Sequence, residues 1–271
     1  KAFLKVNANG VDEGDYVMVL GYPGSTNRYR TAVEVENNFT WTYPTAKLYR
    51  EEYIDLIKQN SAPDSDERIK YASTIASLAN YAKNYGSMVE SYNKGDMLVR
   101  KRQLEADLVN WLAQDTEMNA QYGASLVKLN KLIEQSEATK ERDLLMSYMG
   151  RTTMMSVAKG LLRLSHEQVK LDSERERGYQ ERDLKSYEQS MASVNFHYVA
   201  DIDKALFKHF LAKYVDLPVE QRVSAFDTFF DITGKDLTKA NAKIDKMYAN
   251  TKLGELDTRL AMMKMSEKEM L

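Results

Sequence analysis

The sequence predicts a mainly α protein: an irregular multi-helix bundle preceded by a short N-terminal pair of β-strands. Three observations predict it. All four prolines, Pro23, Pro44, Pro63 and Pro218, stand at apparent element ends, and none interrupts the long stretch between Pro63 and Pro218. A proline-free run rich in Leu, Ala, Glu, Lys, Met and Gln favours helix, because proline removes an intrahelical hydrogen bond and clashes with the preceding turn. Within that run apolar residues recur at spacings of three and four, which gathers them on one helical stripe. Before residue 40 the pattern differs, with short runs of strand formers set between glycines.

The first strand is read at Tyr16-Val-Met-Val-Leu20, bounded by Gly14 and Gly21. Gly21-Tyr-Pro-Gly24 follows as a turn, and the alternation in Tyr29-Arg-Thr-Ala-Val-Glu-Val35 suggests a second strand. Two strands alone do not make a stable sheet in water, so something else must complete this one. The remainder reads as about eight to ten helices, over roughly 44–59, 64–91, 97–114, 118–136, 139–171, 175–198, 201–215, 218–231, 236–250 and 254–264. Ile69, Ala72, Ala76 and Ala79 form one stripe; Leu104, Leu108, Trp111 and Leu112 form another; Leu144, Tyr148, Met155 and Leu162 continue the pattern. Asp64 before Glu67 resembles a capping box, and Pro218 suits the opening turn of a late helix. Short polar breaks such as Asn93-Lys-Gly95 and Thr233-Gly234 join the helices, as in a bundle. The predicted organisation is residues 1–40 as the strand-bearing piece and 41–271 as the helical domain.

Composition narrows the function. A net charge of −2 gives no global attraction to nucleic acid or anionic lipid. With no cysteine, thiol nucleophiles, disulfides and zinc–thiolate sites are excluded. No apolar run reaches the roughly 18–20 residues that a membrane span needs. Lys1 opens the chain without an initiator Met, and the first residues read as the middle of a longer polypeptide.

Motifs for chemistry are scarce. No Gly-x-Ser-x-Gly and no phosphate-cradling Gly-x-x-x-x-Gly-Lys occurs. His166-Glu167 begins a zincin-like pattern, but Lys170 stands where the second His is required. His197 and His209 lie in helical sequence as packing or surface residues. Asp201 and Asp203 suggest a metal pair, against which stands the ordinary preference of acids for a helix N-terminus. Met146, Met149, Met154, Met155, Met262, Met263 and Met265 read as core filler rather than as a soft binding groove. No catalytic residue, cofactor or metal is expected. Asn80 and Asn84 are different: they lie four apart on one helix face, and Asn in mid-helix is locally unfavourable. A solvated polar face is the plain explanation; amide carbonyls accepting from a ligand are the sharper one.

The segment Glu13-Gly-Asp-Tyr-Val-Met-Val-Leu-Gly-Tyr-Pro-Gly-Ser-Thr-Asn-Arg-Tyr-Arg-Thr31 resembles bacterial serine dipeptidyl peptidases of the 7 and 11 types, serine peptidase family 46. Arg68-Ile-Lys-Tyr-Ala-Ser-Thr-Ile-Ala-Ser-Leu-Ala-Asn-Tyr-Ala-Lys-Asn84 is similar to a second family signature. Weaker similarity runs through Trp111, Tyr122-Gly123, Asp201-Ile-Asp-Lys-Ala-Leu206 and Leu217-Pro218, so the likeness covers nearly the whole chain. The resemblance implies strands cut from a chymotrypsin-like barrel, and a helical cap domain inserted between a preceding His and Asp and a following Ser. It implies that the fragment alone is inactive, and that the parent is a periplasmic or cell-surface homodimer releasing dipeptides from oligopeptides with a free N-terminus. It also implies that an Asn of the cap helps barrel residues hold the substrate's α-ammonium group; the matching position is Asn80, with Asn84 as the alternative. Ala82 stands where relatives often carry an aromatic residue, a change expected in the pocket wall. The competing expectation is a stand-alone helical protein-interaction module.

Overall fold

The computed structural model describes residues 5–18, 21 and 27–270. The chain divides into two compact units, residues 1–30 and 31–271. In the first, the described residues form turns: Asn7 Nδ2 donates to the Gly10 carbonyl at 2.8 Å, and Gly10 and Gly14 take φ of 78° and 95°. Such left-handed backbone suits glycine.

The predicted strand pair is not present among the described residues. Tyr16, Val17 and Met18 have no regular structure, while Val19, Leu20 and most of the Gly21-Tyr-Pro-Gly24 turn lie outside the described residues. The second strand is replaced by helix α1, Ala32–Asn37. Its cause is local. Thr31 Oγ1 accepts from the Glu34 N–H at 3.2 Å and the Glu34 carboxylate accepts from the Thr31 N–H at 2.9 Å, a complete capping box. Ala32 and Val35, three apart, are then buried on one face. The Thr-x-x-Glu signal outweighs the alternation of β-branched residues.

The second unit is helical. A π-helical turn, Asn38–Thr42, leads from α1 into α2, Tyr43–Gln59, and the 40/41 division drawn from sequence falls inside that turn. There follow α3 (Asp66–Lys70), α4 (Ala72–Lys94), α5 (Met97–Ala113), α6 (Thr116–Glu137), α7 (Lys140–Gly150) and α8 (Thr153–Gln168). After these come α9 (Glu181–Ser193), α10 (Ala200–Tyr214), α11 (Ser224–Phe229), α12 (Thr238–Asn250), α13 (Leu256–Met262) and α14 (Glu267–Met270). The α3 cap is Ser65, whose hydroxyl accepts from the Arg68 N–H at 3.2 Å; Asp64, the expected cap, sits one residue earlier at φ 60°. Pro218 opens a 3-10 turn, Val219–Gln221, ahead of α11.

The main core gathers α2, α7, α10 and α12 around Tyr49, Ile57, Tyr148, Leu206, Phe210 and Ile244. Phe210 stacks on Tyr148 with ring centroids 4.6 Å apart. A second cluster joins α8 to α9 through Val157, Leu161 and Met191. Met149 and Met154 are buried, and Met146, Met155, Met262 and Met263 pack at the edges of these clusters.

The predicted helix 139–171 is broken between Gly150 and Thr153. The break comes from Asp203 on α10, whose carboxylate accepts from the Thr153 and Met154 N–H groups, the latter at 3.0 Å, and from the Tyr248 hydroxyl at 2.9 Å. A residue fifty positions away thus supplies the acceptor that the orphan N–H groups of α8 need.

Candidate functional site

Helix α4 packs along α2 for most of its length. Its inner face is apolar and small where the helices approach: Ala82 is buried, and a Cβ on Gly86 would stand 3.3 Å from Lys47 Cε. Ala82 therefore occupies the packing side of the helix rather than the side that carries Asn80 and Asn84. Towards its C-terminus α4 is held by aromatic stacking, Phe39 on Tyr92 at 4.6 Å and Tyr43 on Tyr85 at 5.0 Å. The Arg50 guanidinium lies 4.9 Å from the Tyr85 ring centroid and 5.6 Å from that of Tyr81, and donates to the Tyr148 hydroxyl at 3.1 Å. Burial pushes the neighbouring Tyr49 hydroxyl up to about 12, so it stays neutral at physiological pH. These contacts fix the rotation of α4 about its axis.

That rotation turns Asn80 and Asn84 outward, and both are exposed. Neither amide hydrogen-bonds to a described residue. Ser73, Ser77, Ser87 and Ser91 are exposed in the same row, spaced by steps of four and three with the two Asn residues. At 1.5 Å per residue the row extends about 27 Å. Its chemistry is unusual for a solvated helix. The whole of α4 carries only Lys83, Glu90 and Lys94 as charged residues, and the last two pair with each other at 2.5 Å. A surface of hydroxyls and amides short of charge can be covered by a partner without burying an ion. The sequence singles out the two Asn residues and passes over the serines, although their spacing in steps of four and three is visible in it.

The other candidate groups have separate partners. Asp201 is exposed and lies 3.4 Å from Lys204, whereas Asp203 is fully buried against the start of α8, and desolvation raises its carboxyl above the usual range. His209 meets Glu52 at 2.9 Å and His166 meets Glu267 at 3.1 Å, while His197 lines a cavity beside α8. Among the described residues no group of three or more His, Cys, Asp or Glu is placed to hold a metal ion, and no helix is long and apolar enough to cross a membrane.

Comparison with known proteins adds identity to this geometry. The Peptidase S46 family model matches residues 1–271. The chain is 34% identical over 264 residues to an Asp/Glu-specific dipeptidyl-peptidase of Shewanella putrefaciens, covering 97% of this chain and 35% of that protein. It is 35% identical over 150 residues to dipeptidyl-peptidase 7 of Capnocytophaga gingivalis, covering 55% of this chain and 21% of that protein. Against dipeptidyl-peptidase 7 of Porphyromonas gingivalis it is 32% identical over 151 residues, covering 55% of this chain and 20% of the relative. The chain thus spans about a third of the Shewanella relative's length and about a fifth of the other two. A match along every residue, with helical text that aligns almost end to end with a dipeptidyl-peptidase, places the chain in the peptidase S46 family.

Proposed function

We propose that this chain is the helical capping domain of a serine-type dipeptidyl peptidase that releases dipeptides from the free N-termini of oligopeptides. In this reading residues 1–30 belong to a chymotrypsin-like barrel whose remaining chain carries the catalytic His, Asp and Ser, and the fragment alone is inactive. The parent works in the periplasm or at the cell surface as a homodimer.

The observation that carries the proposal is the uncharged, exposed row on α4. A residue-counting exopeptidase must hold an α-ammonium group, which brings a charge and three donors and needs oxygen acceptors shielded from water. Asn80, or Asn84 one turn on, offers an amide carbonyl without a competing positive charge on its own row. Closure of the barrel against the row buries neutral hydroxyls and amides rather than lysines, at a lower desolvation cost. Closure also excludes water and orients the peptide.

The test uses the full-length parent protein with a dipeptidyl chromogenic substrate, once with a free N-terminus and once acetylated. Hydrolysis confined to the free-amine substrate is expected. Equal hydrolysis of both, or of neither, contradicts the proposal. A second reading, a stand-alone helical interaction module, draws on the α5–α6 hairpin, where Leu104 is 62% and Val127 is 72% exposed. That reading predicts a partner bound by the isolated chain and no requirement for a barrel.

A further inference from the structure

A groove beside α8 has no part in the proposed amine site. It consists of two cavities of about 350 and 560 Å³ that share Ser156, Ser190 and Met191 in their walls. The basic residues lining it are Arg151 and His197 in the first cavity and Lys159 and Arg163 in the second; no Asp or Glu is among the lining residues. Arg163 is already neutralised, by Glu167 at 3.0 Å and by Glu176. Arg151 and Lys159 have no carboxylate partner among the described residues. Lys159 Nζ lies 3.5 Å from where a Cβ on Gly150, the residue before Arg151, would stand. Thr74 and Ser156 add hydroxyls that make no hydrogen bond to a described residue. The first cavity also has apolar wall from Val157, Met191 and Val194. Gly160 lets the second cavity keep its shape, since a Cβ there would stand 2.8 Å from the Tyr187 hydroxyl.

Two cations without a carboxylate partner, lining cavities that share part of their walls, make an oxyanion site together with the free hydroxyls, because each donor is charge-assisted or free and none is spent within the protein. Two cavities joined through shared wall residues, with apolar as well as polar lining, suit an extended chain better than a bare inorganic ion. We propose that the α8–α9 groove binds the side-chain carboxylates of an acidic peptide segment, with Arg151 and Lys159 as the anion-holding residues. The inference borrows from the proposed function only the idea that peptides reach this domain.

The experiment is calorimetric titration of the 271-residue chain at low ionic strength with N-acetylated tetraglutamate, its tetraglutamine counterpart and inorganic phosphate. Acetylation keeps the amine site out of the measurement and no hydrolysis is read, so this test fails or succeeds separately from the peptidase proposal. Tetraglutamate is expected to bind at least about tenfold more tightly than tetraglutamine, and Arg151→Ala and Lys159→Ala each to weaken it about tenfold. Arg151→Lys, which keeps the charge, is expected to retain most of the binding, and Lys128→Ala on α6 to leave it unchanged. Equal binding of tetraglutamine overturns the proposal, as does tetraglutamate binding indifferent to both alanine variants. Phosphate bound through Arg151 and Lys159 with no tetraglutamate bound overturns the peptide assignment in favour of an inorganic oxyanion.

Discussion

Helix α10 buries seven residues, among them Leu206, Phe210 and Tyr214, whereas the longer α5 and α6 bury only Leu112 and Ile133. Both regions carry apolar residues at helical spacing, and sequence periodicity alone does not tell them apart. The difference lies in what surrounds each. α10 contacts α2, α7 and α12, while α5 and α6 pair chiefly with each other and touch α1. Leu108, Trp111 and Leu129 consequently line an open apolar cleft of about 320 Å³ between the two helices rather than a core. Periodicity reports that a helix has an apolar side; it does not report whether that side is covered.

The largest effects should fall on the packed side of this comparison. Phe210→Ala removes a ring buried against Tyr49, Tyr53 and Tyr148 and should cost about 3–5 kcal/mol in urea unfolding. Leu108→Ala on the hairpin should cost less than about 1 kcal/mol by the same measurement. Comparable losses would mean that the hairpin is packed in solution and would erase the contrast.

Asp203 sharpens it further. Asp203→Ala removes the acceptor of three donors, one buried and two part-buried, and should cost about 3 kcal/mol. Desolvation raises the Asp203 pKa in the folded chain above its ordinary 3.8. Between those two values the folded state holds more protons than the unfolded state, so this residue's contribution falls as pH rises through the window. The stability advantage of wild type over Asp203→Asn should therefore shrink from pH 4 towards neutrality. An advantage that grows with pH would show that hydrogen bonding, not burial, dominates this carboxyl.

Smaller effects belong to the hairpin's anchor. Glu105 on α5 accepts from the Ala32 N–H at 2.6 Å, and Arg102 pairs with Glu36 at 2.8 Å. Glu105→Ala should cost about 1 kcal/mol and speed proteolytic cleavage within α5 and α6 while leaving α10 protected. Uniform loss of protection would make the hairpin part of one cooperative unit with the core. The smallest effect is expected at Asn80. An exposed mid-helix Asn replaced by Ala should change stability by about 0.5 kcal/mol, in the stabilising direction.

The helical class, most helix positions and the exposed Asn pair were legible because each depends on residues close in sequence. What failed to read through was set either by a competing local signal or from afar. The Thr31–Glu34 capping box overrode a β-like alternation, and Ser65 rather than Asp64 took the cap of α3. The break before α8 depends on Asp203, which no local window around Thr152 contains. Near Gly178, φ of 97° ends the predicted continuity of a helix over 175–198, and α9 begins only at Glu181. The α4 row is half legible in the sequence: the two Asn residues stand out through their poor helix propensity, whereas serine is an ordinary residue on a helix surface.

The most direct test of the central claim is the kinetics of Asn80→Ala and Asn84→Ala in the full-length parent, with a free-amine dipeptidyl substrate and thermal unfolding measured in parallel. One of the two variants should lose about tenfold to a hundredfold in kcat/KM, as expected for removal of a charge-assisted hydrogen bond, with its melting temperature unchanged or slightly raised. Full activity in both variants would contradict the assignment of amine capture to the exposed face of α4.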